Sequence, residues 1–236
     1  MRLAVVTPSH QYPLGVTLAL DRRLALLDWA HDSGGWIVED DYDSEFRYAG
    51  RPLASLRGLD ADRARGRERV IYLGSFSKVT FAGLRIGYLV VPRAIAGDFA
   101  QARRTLDDHG SVVAQPALAE FMESGAFAAH IRRMRRRYGA RQARLLAGAE
   151  ALAPWLDLTP DEGGMHLFAR CREGAPADVA LRQAASRAGV ETRALADYYL
   201  GAPTRSGLLL GYAAVPEAEI DAGVARLAGA LATVEV

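Results

Sequence analysis

The sequence predicts an α/β fold in two parts, a parallel sheet flanked by helices followed by a smaller α+β module. Three observations predict it. Short, continuously apolar runs alternate with helical or loop segments through the first half of the chain. Those runs do not alternate with polar residues as a half-exposed strand does, which is the pattern of parallel strands covered on both faces. Near Gly125 the pattern changes to one long helical stretch, then short strands and two more helices.

Leu3–Thr7 reads as a short strand ending in Thr7-Pro8. Thr17–Ser33 reads as a helix, because Leu20, Leu24 and Leu27 fall at helical spacing and Gly34-Gly35 supplies a stop. Trp36–Asp40, Val70–Gly74 and Ile86–Val91 are the next strands, the last closed by Pro92, and Arg63–Arg69 reads as a charged, loop-like insertion. Ala117–Leu152 reads as one long helical stretch interrupted at Gly125, with Phe127, Ile131, Met134, Tyr138 and Leu145 on one stripe. Strands follow around Leu156–Thr159, Met165–Arg170 and Leu208–Ala213, with helices at Pro176–Ala188 and Pro216–Ala232. The expected division is a larger domain over residues 1–125 and a small C-terminal domain over 126–236.

The 236 residues carry 29 basic and 28 acidic side chains, a net charge of +1, so bulk attraction to nucleic acid or to an anionic membrane is not expected. Cys171 is the single cysteine, which rules out an internal disulfide; with no signal-peptide pattern, a reducing cytoplasm is the expected compartment. The apolar runs are strand-sized, far short of a membrane span. The arginines at 132, 133, 135, 136 and 137 share a helix with the apolar stripe and read as its solvated face. Asp41–Glu45 lacks the glycine of a calcium loop, and no metal site is expected.

Three segments end apolar strands, where open parallel sheets bind ligands. They are Thr7-Pro8-Ser9-His10-Gln11-Tyr12-Pro13, Glu39-Asp40-Asp41-Tyr42-Asp43-Ser44-Glu45-Phe46, and Gly74-Ser75-Phe76-Ser77-Lys78 with Arg85 seven residues on. Lys78 is the only lysine; the other 28 basic residues are arginine. At the rim of a pocket, desolvation favours the neutral, nucleophilic amine that an aldehyde needs. Asp40 and Tyr42 stand two apart at a strand end, so their side chains leave one face. A carboxylate and a phenol from one side suit a flat ring with a nitrogen to keep protonated. Asp41 and Asp43 are expected to point the other way, toward solvent or backbone donors. Ser75 and Ser77 offer hydroxyls, and Arg85 a fork of donors, to a phosphate.

These segments together resemble a known family. Ser-Phe-Ser-Lys followed by Gly-Leu-Arg-Ile-Gly-Tyr is similar to the lysine signature of fold-type I aminotransferases, and Asp-Asp-Tyr to their Asp-x-Tyr pair. Thr-Pro-Ser-His-Gln-Tyr-Pro, Glu-Asp-Asp-Tyr-Asp-Ser-Glu-Phe-Arg-Tyr and Leu-Leu-Leu-Gly-Tyr at 208–212 narrow the likeness to the effector domain of MocR-type regulators of the GntR superfamily. The resemblance implies an aspartate aminotransferase-like fold and pyridoxal 5'-phosphate as cofactor. It implies that Lys78 forms the Schiff base, that Asp40 meets the pyridine nitrogen and Tyr42 the phenolic oxygen, and that Ser75, Ser77 and Arg85 hold the phosphate. His10 and Gln11 fall where aminotransferases carry an Asn-Pro-x-Gly segment near the ring. Arg205 is the candidate for a ligand carboxylate.

The resemblance also implies a homodimer, an amino acid or amine as ligand, and a winged helix–turn–helix module upstream that this chain does not contain. The first part of the larger domain is expected to be missing too. That would expose both sheet edges and weaken cofactor binding. Three readings stay open: a ligand-sensing domain, a working transaminase and a remnant that binds nothing.

Overall fold

The computed structural model describes residues 2–64 and 66–235. Tyr12–Gly15, Phe46–Gly50 and the residues after Arg133 form one compact unit, and the rest of the chain forms another.

In the unit that opens the chain, a four-stranded sheet has the order β1 (Leu3–Val6), β2 (Trp36–Asp41), β3 (Val70–Ser75), β4 (Gly87–Val90). The first three strands are parallel, as expected. The fourth is antiparallel to β3, with Leu73 opposite Leu89 and Ser75 opposite Gly87. Residues 76–86 hold only a short 3-10 turn at Ala82–Leu84. A parallel return needs a crossover of a dozen or more residues, so the chain folds straight back.

Helix α1 (Leu20–Ser33) starts at the first of the spaced leucines, three residues after the expected Thr17. The preceding residues spend their backbone bonds on the loop after β1, through Gln11 N to Val16 O and Leu18 N to Pro8 O. Gly34 ends the helix at φ 66°, a left-handed turn that glycine adopts without strain. A helix the sequence pattern did not reveal, α2 (Leu56–Ala64), precedes the expected charged loop and overlaps it only at its last two residues, while residues 66–69 form no helix. Ser55 caps α2 by accepting from Gly58 N at 3.0 Å, and Arg65 lies outside the described residues. Leu27, Ala30, Ile37, Leu56 and Val70 form the core between these helices and one sheet face.

The other face is not covered throughout. Leu3, Val5 and Leu89 remain 51%, 66% and 50% exposed, which corrects the expectation of a sheet shielded on both sides. Helix α3 (Ala96–Asp107) had no sequence counterpart. The long helical stretch is three helices, α4 (Ala114–Glu123), α5 (Ala126–Ala147) and α6 (Ala149–Leu152). Gly125, at φ 75°, makes the first break.

The other unit holds an antiparallel sheet in the order β5-β6-β8-β7, where β5 is Leu156–Leu158, β6 His166–Cys171, β7 Arg193–Ala194 and β8 Gly207–Gly211. Helices α7 (Asp178–Arg187) and α8 (Glu217–Leu231) pack on it around Leu167, Leu181, Leu208 and Leu227. The buried Tyr212 hydroxyl donates to Gly164 O at 3.0 Å and accepts from Gln142 at 3.1 Å, so this core holds a satisfied polar group. Among the described residues no helix is long and apolar enough to cross a membrane.

Candidate cofactor site

Because β1, β2 and β3 run parallel, their carboxyl ends share one edge of the sheet, and the three sequence segments lie along it. Asp40 stands opposite Leu73, and Leu73 opposite Leu89. Side chains two apart share a face, so Asp40 is on the face that also carries Ser75 and Gly87. The antiparallel return of β4 brings Arg85 to the same end.

Beyond Ser75 the chain makes a single turn. Thr80 N donates to Phe76 O at 2.9 Å, and the Thr80 hydroxyl bonds the same carbonyl at 2.7 Å. Val79 is buried, and its carbonyl accepts from His130 Nε2 on α5 at 2.8 Å. Lys78 therefore projects from a turn pinned on both sides. Its side chain is exposed, not buried at a pocket rim as expected. Glycine is required at Gly74, where a Cβ would lie 2.2 Å from the Tyr88 ring.

Ser75, Ser77 and Arg85 line one cavity of about 600 Å³, together with Leu73, Gly87, Leu89, Phe99 and Arg103. The Ser77 amide donates to Ser75 Oγ at 3.2 Å. Arg85 holds φ 51°, unusual for a residue with a Cβ. Arg103 was missed, because the helix that carries it was missed.

Asp40 is half-buried, and burial raises its carboxyl above the ordinary carboxylate range, helped by the neighbouring charges of Asp41 and Asp43. The Tyr42 hydroxyl donates to His10 O at 2.6 Å. Asp41 and Asp43 do turn away from Asp40's face, but not to solvent: they are 8% and 3% exposed. Asp41 accepts from Ser44 N, the Ser44 hydroxyl at 2.7 Å and the Tyr72 hydroxyl at 2.8 Å. Asp43 meets His10 Nδ1 at 2.8 Å, and His10 is itself buried. The buried alternation of β2 continues past its end through Asp43. Gln11 is exposed, with its amide bonded to Val16 O at 3.0 Å. Arg205 is exposed in the segment before β8, in the other unit.

The model of the family described as aminotransferase class I and II matches residues 2–227. The chain belongs to the aminotransferase class I and II family. It is 40% identical over 235 residues to the probable rhizopine catabolism regulatory protein MocR of Rhizobium meliloti, covering 99% of this chain and 46% of that protein. It is 38% identical to the HTH-type pyridoxine biosynthesis transcriptional regulator PdxR of Corynebacterium glutamicum, covering 88% of this chain and 44% of the regulator. Among solved structures it superposes on LysN, the alpha-aminoadipate aminotransferase of Thermus thermophilus, with a TM-score of 0.84 at 29% identity, over 97% of this chain and 58% of that one. The fold is therefore that of the fold-type I, aspartate aminotransferase-like proteins. The chain spans about half the length of the curated relatives it matches.

The family implies pyridoxal phosphate, and the donor set of this aminotransferase-like domain fits it. Two hydroxyls and a guanidinium converge on one cavity, as a phosphate requires. A half-buried carboxylate, Asp40, shares the sheet face with Ser75 and offers the oxygen acceptor that a ring N–H requires. One amine, Lys78, projects from the fixed turn that follows Ser75.

Proposed function

We propose that this aminotransferase-like domain holds pyridoxal 5'-phosphate through Lys78 and serves as the ligand-sensing part of a MocR-type regulator. The observation that carries the reading is the register of β2, β3 and β4, which puts the Asp40 carboxylate on the sheet face that carries Ser75 and turns Arg85 into the Ser75–Ser77 cavity. When bound, the cofactor supplies an aldehyde and an electron-withdrawing ring. Lys78 provides the amine for the covalent link. Asp40 keeps a proton at the ring nitrogen, Tyr42 faces the ring's phenolic oxygen, and Ser75, Ser77 and Arg85 neutralise the phosphate. Arg205 is the candidate for the carboxylate of an amino-acid ligand, and the site is completed in a homodimer.

The sensing role is supported by the relatives. Those at 40% and 38% identity bear regulators' names, while the solved aminotransferase LysN stands at 29%. The second reading, a working transaminase, uses the same residues, with Lys78 moving a proton at the substrate carbon.

The deciding experiment adds pyridoxal phosphate, reduces with borohydride and maps the tagged peptide. The tag is expected on Lys78 and is expected to vanish in K78A; a tag that persists elsewhere in K78A overturns the assignment. Sustained production of a 2-oxo acid from amino donors would replace sensing by catalysis.

A further inference from the structure

His10 is where the loop after β1 and the turn after β2 are joined twice. Its ring Nδ1 lies 2.8 Å from Asp43 Oδ2, and its main-chain oxygen accepts the Tyr42 hydroxyl at 2.6 Å. Both side chains of the ring pair are buried, at 5% and 2% relative exposure. The loop that carries His10 is itself anchored from α1. The buried Arg23 donates to Pro8 O at 2.7 Å, to Leu18 O and to Ala54 O, and Thr17 bonds Ser9 O at 3.0 Å. The turn after β2, with Asp40 at its base and Tyr42 at its crest, thus hangs on a fixed point that belongs to another segment.

Chemistry gives this link a purpose. Asp40, Asp41 and Asp43 place three carboxylates within four residues, and the charges of the other two add to the burial that raises the Asp40 carboxyl. Asp41 is satisfied by Ser44 and Tyr72, and Asp43 by His10. A buried carboxylate stripped of its donor would recruit a proton or swing toward another donor, and either would disturb Asp40 beside it.

We propose that His10 is a positioning residue for the Asp40–Tyr42 pair, acting through Asp43 and through its own carbonyl rather than by touching the cofactor ring. The inference rests on the assignment of Asp40 and Tyr42 as ring contacts. It predicts one shared link: breaking it from either side weakens cofactor binding, and breaking it from both sides adds little.

The test compares the wild-type chain with His10→Phe, Asp43→Leu and the double variant, reading pyridoxal phosphate affinity and the visible band of the bound cofactor. A hydrogen bond to a charged group contributes about 1.5–3 kcal/mol, so each single change is expected to weaken binding roughly 10- to 100-fold. The double variant should match the weaker single variant, the non-additivity of one shared interaction. The visible band should shift in all three variants while borohydride still tags Lys78. The double variant removes both members of the His10–Asp43 pair, so it carries the spectral and affinity test should H10F alone fail to fold.

Wild-type affinity and spectrum in a folded H10F or double variant overturn the inference, as do additive losses. No tag on Lys78 in the wild-type chain would instead overturn the cofactor assignment, and this inference with it.

Discussion

Asp40 is where the needs of the cofactor-free chain and the needs of the site oppose one another. Burial, then Asp41 and Asp43, raise its carboxyl, so its ionised form is disfavoured in the fold. The sign follows from linkage: with a raised folded value, the stabilisation is fully present below the unfolded carboxylate range near pH ~4 and is lost as pH rises through the folded value. D40N removes that loss. In thermal melts without cofactor, D40N is expected to be more stable than wild type at pH 7–8, with the gap closing toward pH ~4. In pyridoxal phosphate titrations the same variant should bind about 10- to 100-fold more weakly, because a neutral amide replaces a charge-assisted partner. A D40N chain that melts earlier than wild type at neutral pH would show that Asp40's charge stabilises the fold. The spacing of Asp40 and Tyr42 was enough to single them out as candidates. The fates of Asp41 and Asp43 were not legible, because their partners come from other segments, Tyr72 from β3 and His10 from the loop after β1.

At the scale of elements, α2 shows how a side chain in the sheet builds a helix outside it. Glu39 on β2 is fully buried, and its two oxygens accept Leu56 N and Arg57 N at 2.9 Å each. Burial raises its carboxyl, and the two amides only partly offset this. At nine residues α2 is too short to be stable alone. E39A leaves both amides unanswered and is expected to destabilise the chain by about 2–4 kcal/mol in urea unfolding. E39Q keeps one acceptor and should lose only about 1 kcal/mol. A loss below about 0.5 kcal/mol in E39A would mean that other acceptors serve the helix start. The sequence hid this helix because its apolar anchors, Leu56 and Leu59, sit among charged residues, and the capping carboxylate is seventeen positions away.

For the molecule as a whole, one face of the first sheet carries exposed apolar side chains. Leu3, Val5 and Leu89 lie on it and are at least half exposed, and every residue of β4 is exposed. Open apolar faces and bare edge strands favour association. Replacing all three residues by threonine is expected to lower the light scattering of the concentrated chain while changing stability by less than about 1 kcal/mol, since little packing is lost. Unchanged scattering, or a large loss of stability, would show that the face is packed. The sequence by itself determined the four strands and the first helix of the opening unit, the three chemical segments at the strand ends and the family, because apolar periodicity and short motifs are local and survive in linear order. Only the tertiary structure decided that β4 runs backward, that Asp41 and Asp43 are internal and that His10 faces Asp43. Each of these depends on which distant backbone or side chain completes a hydrogen bond, and a linear pattern does not encode that choice.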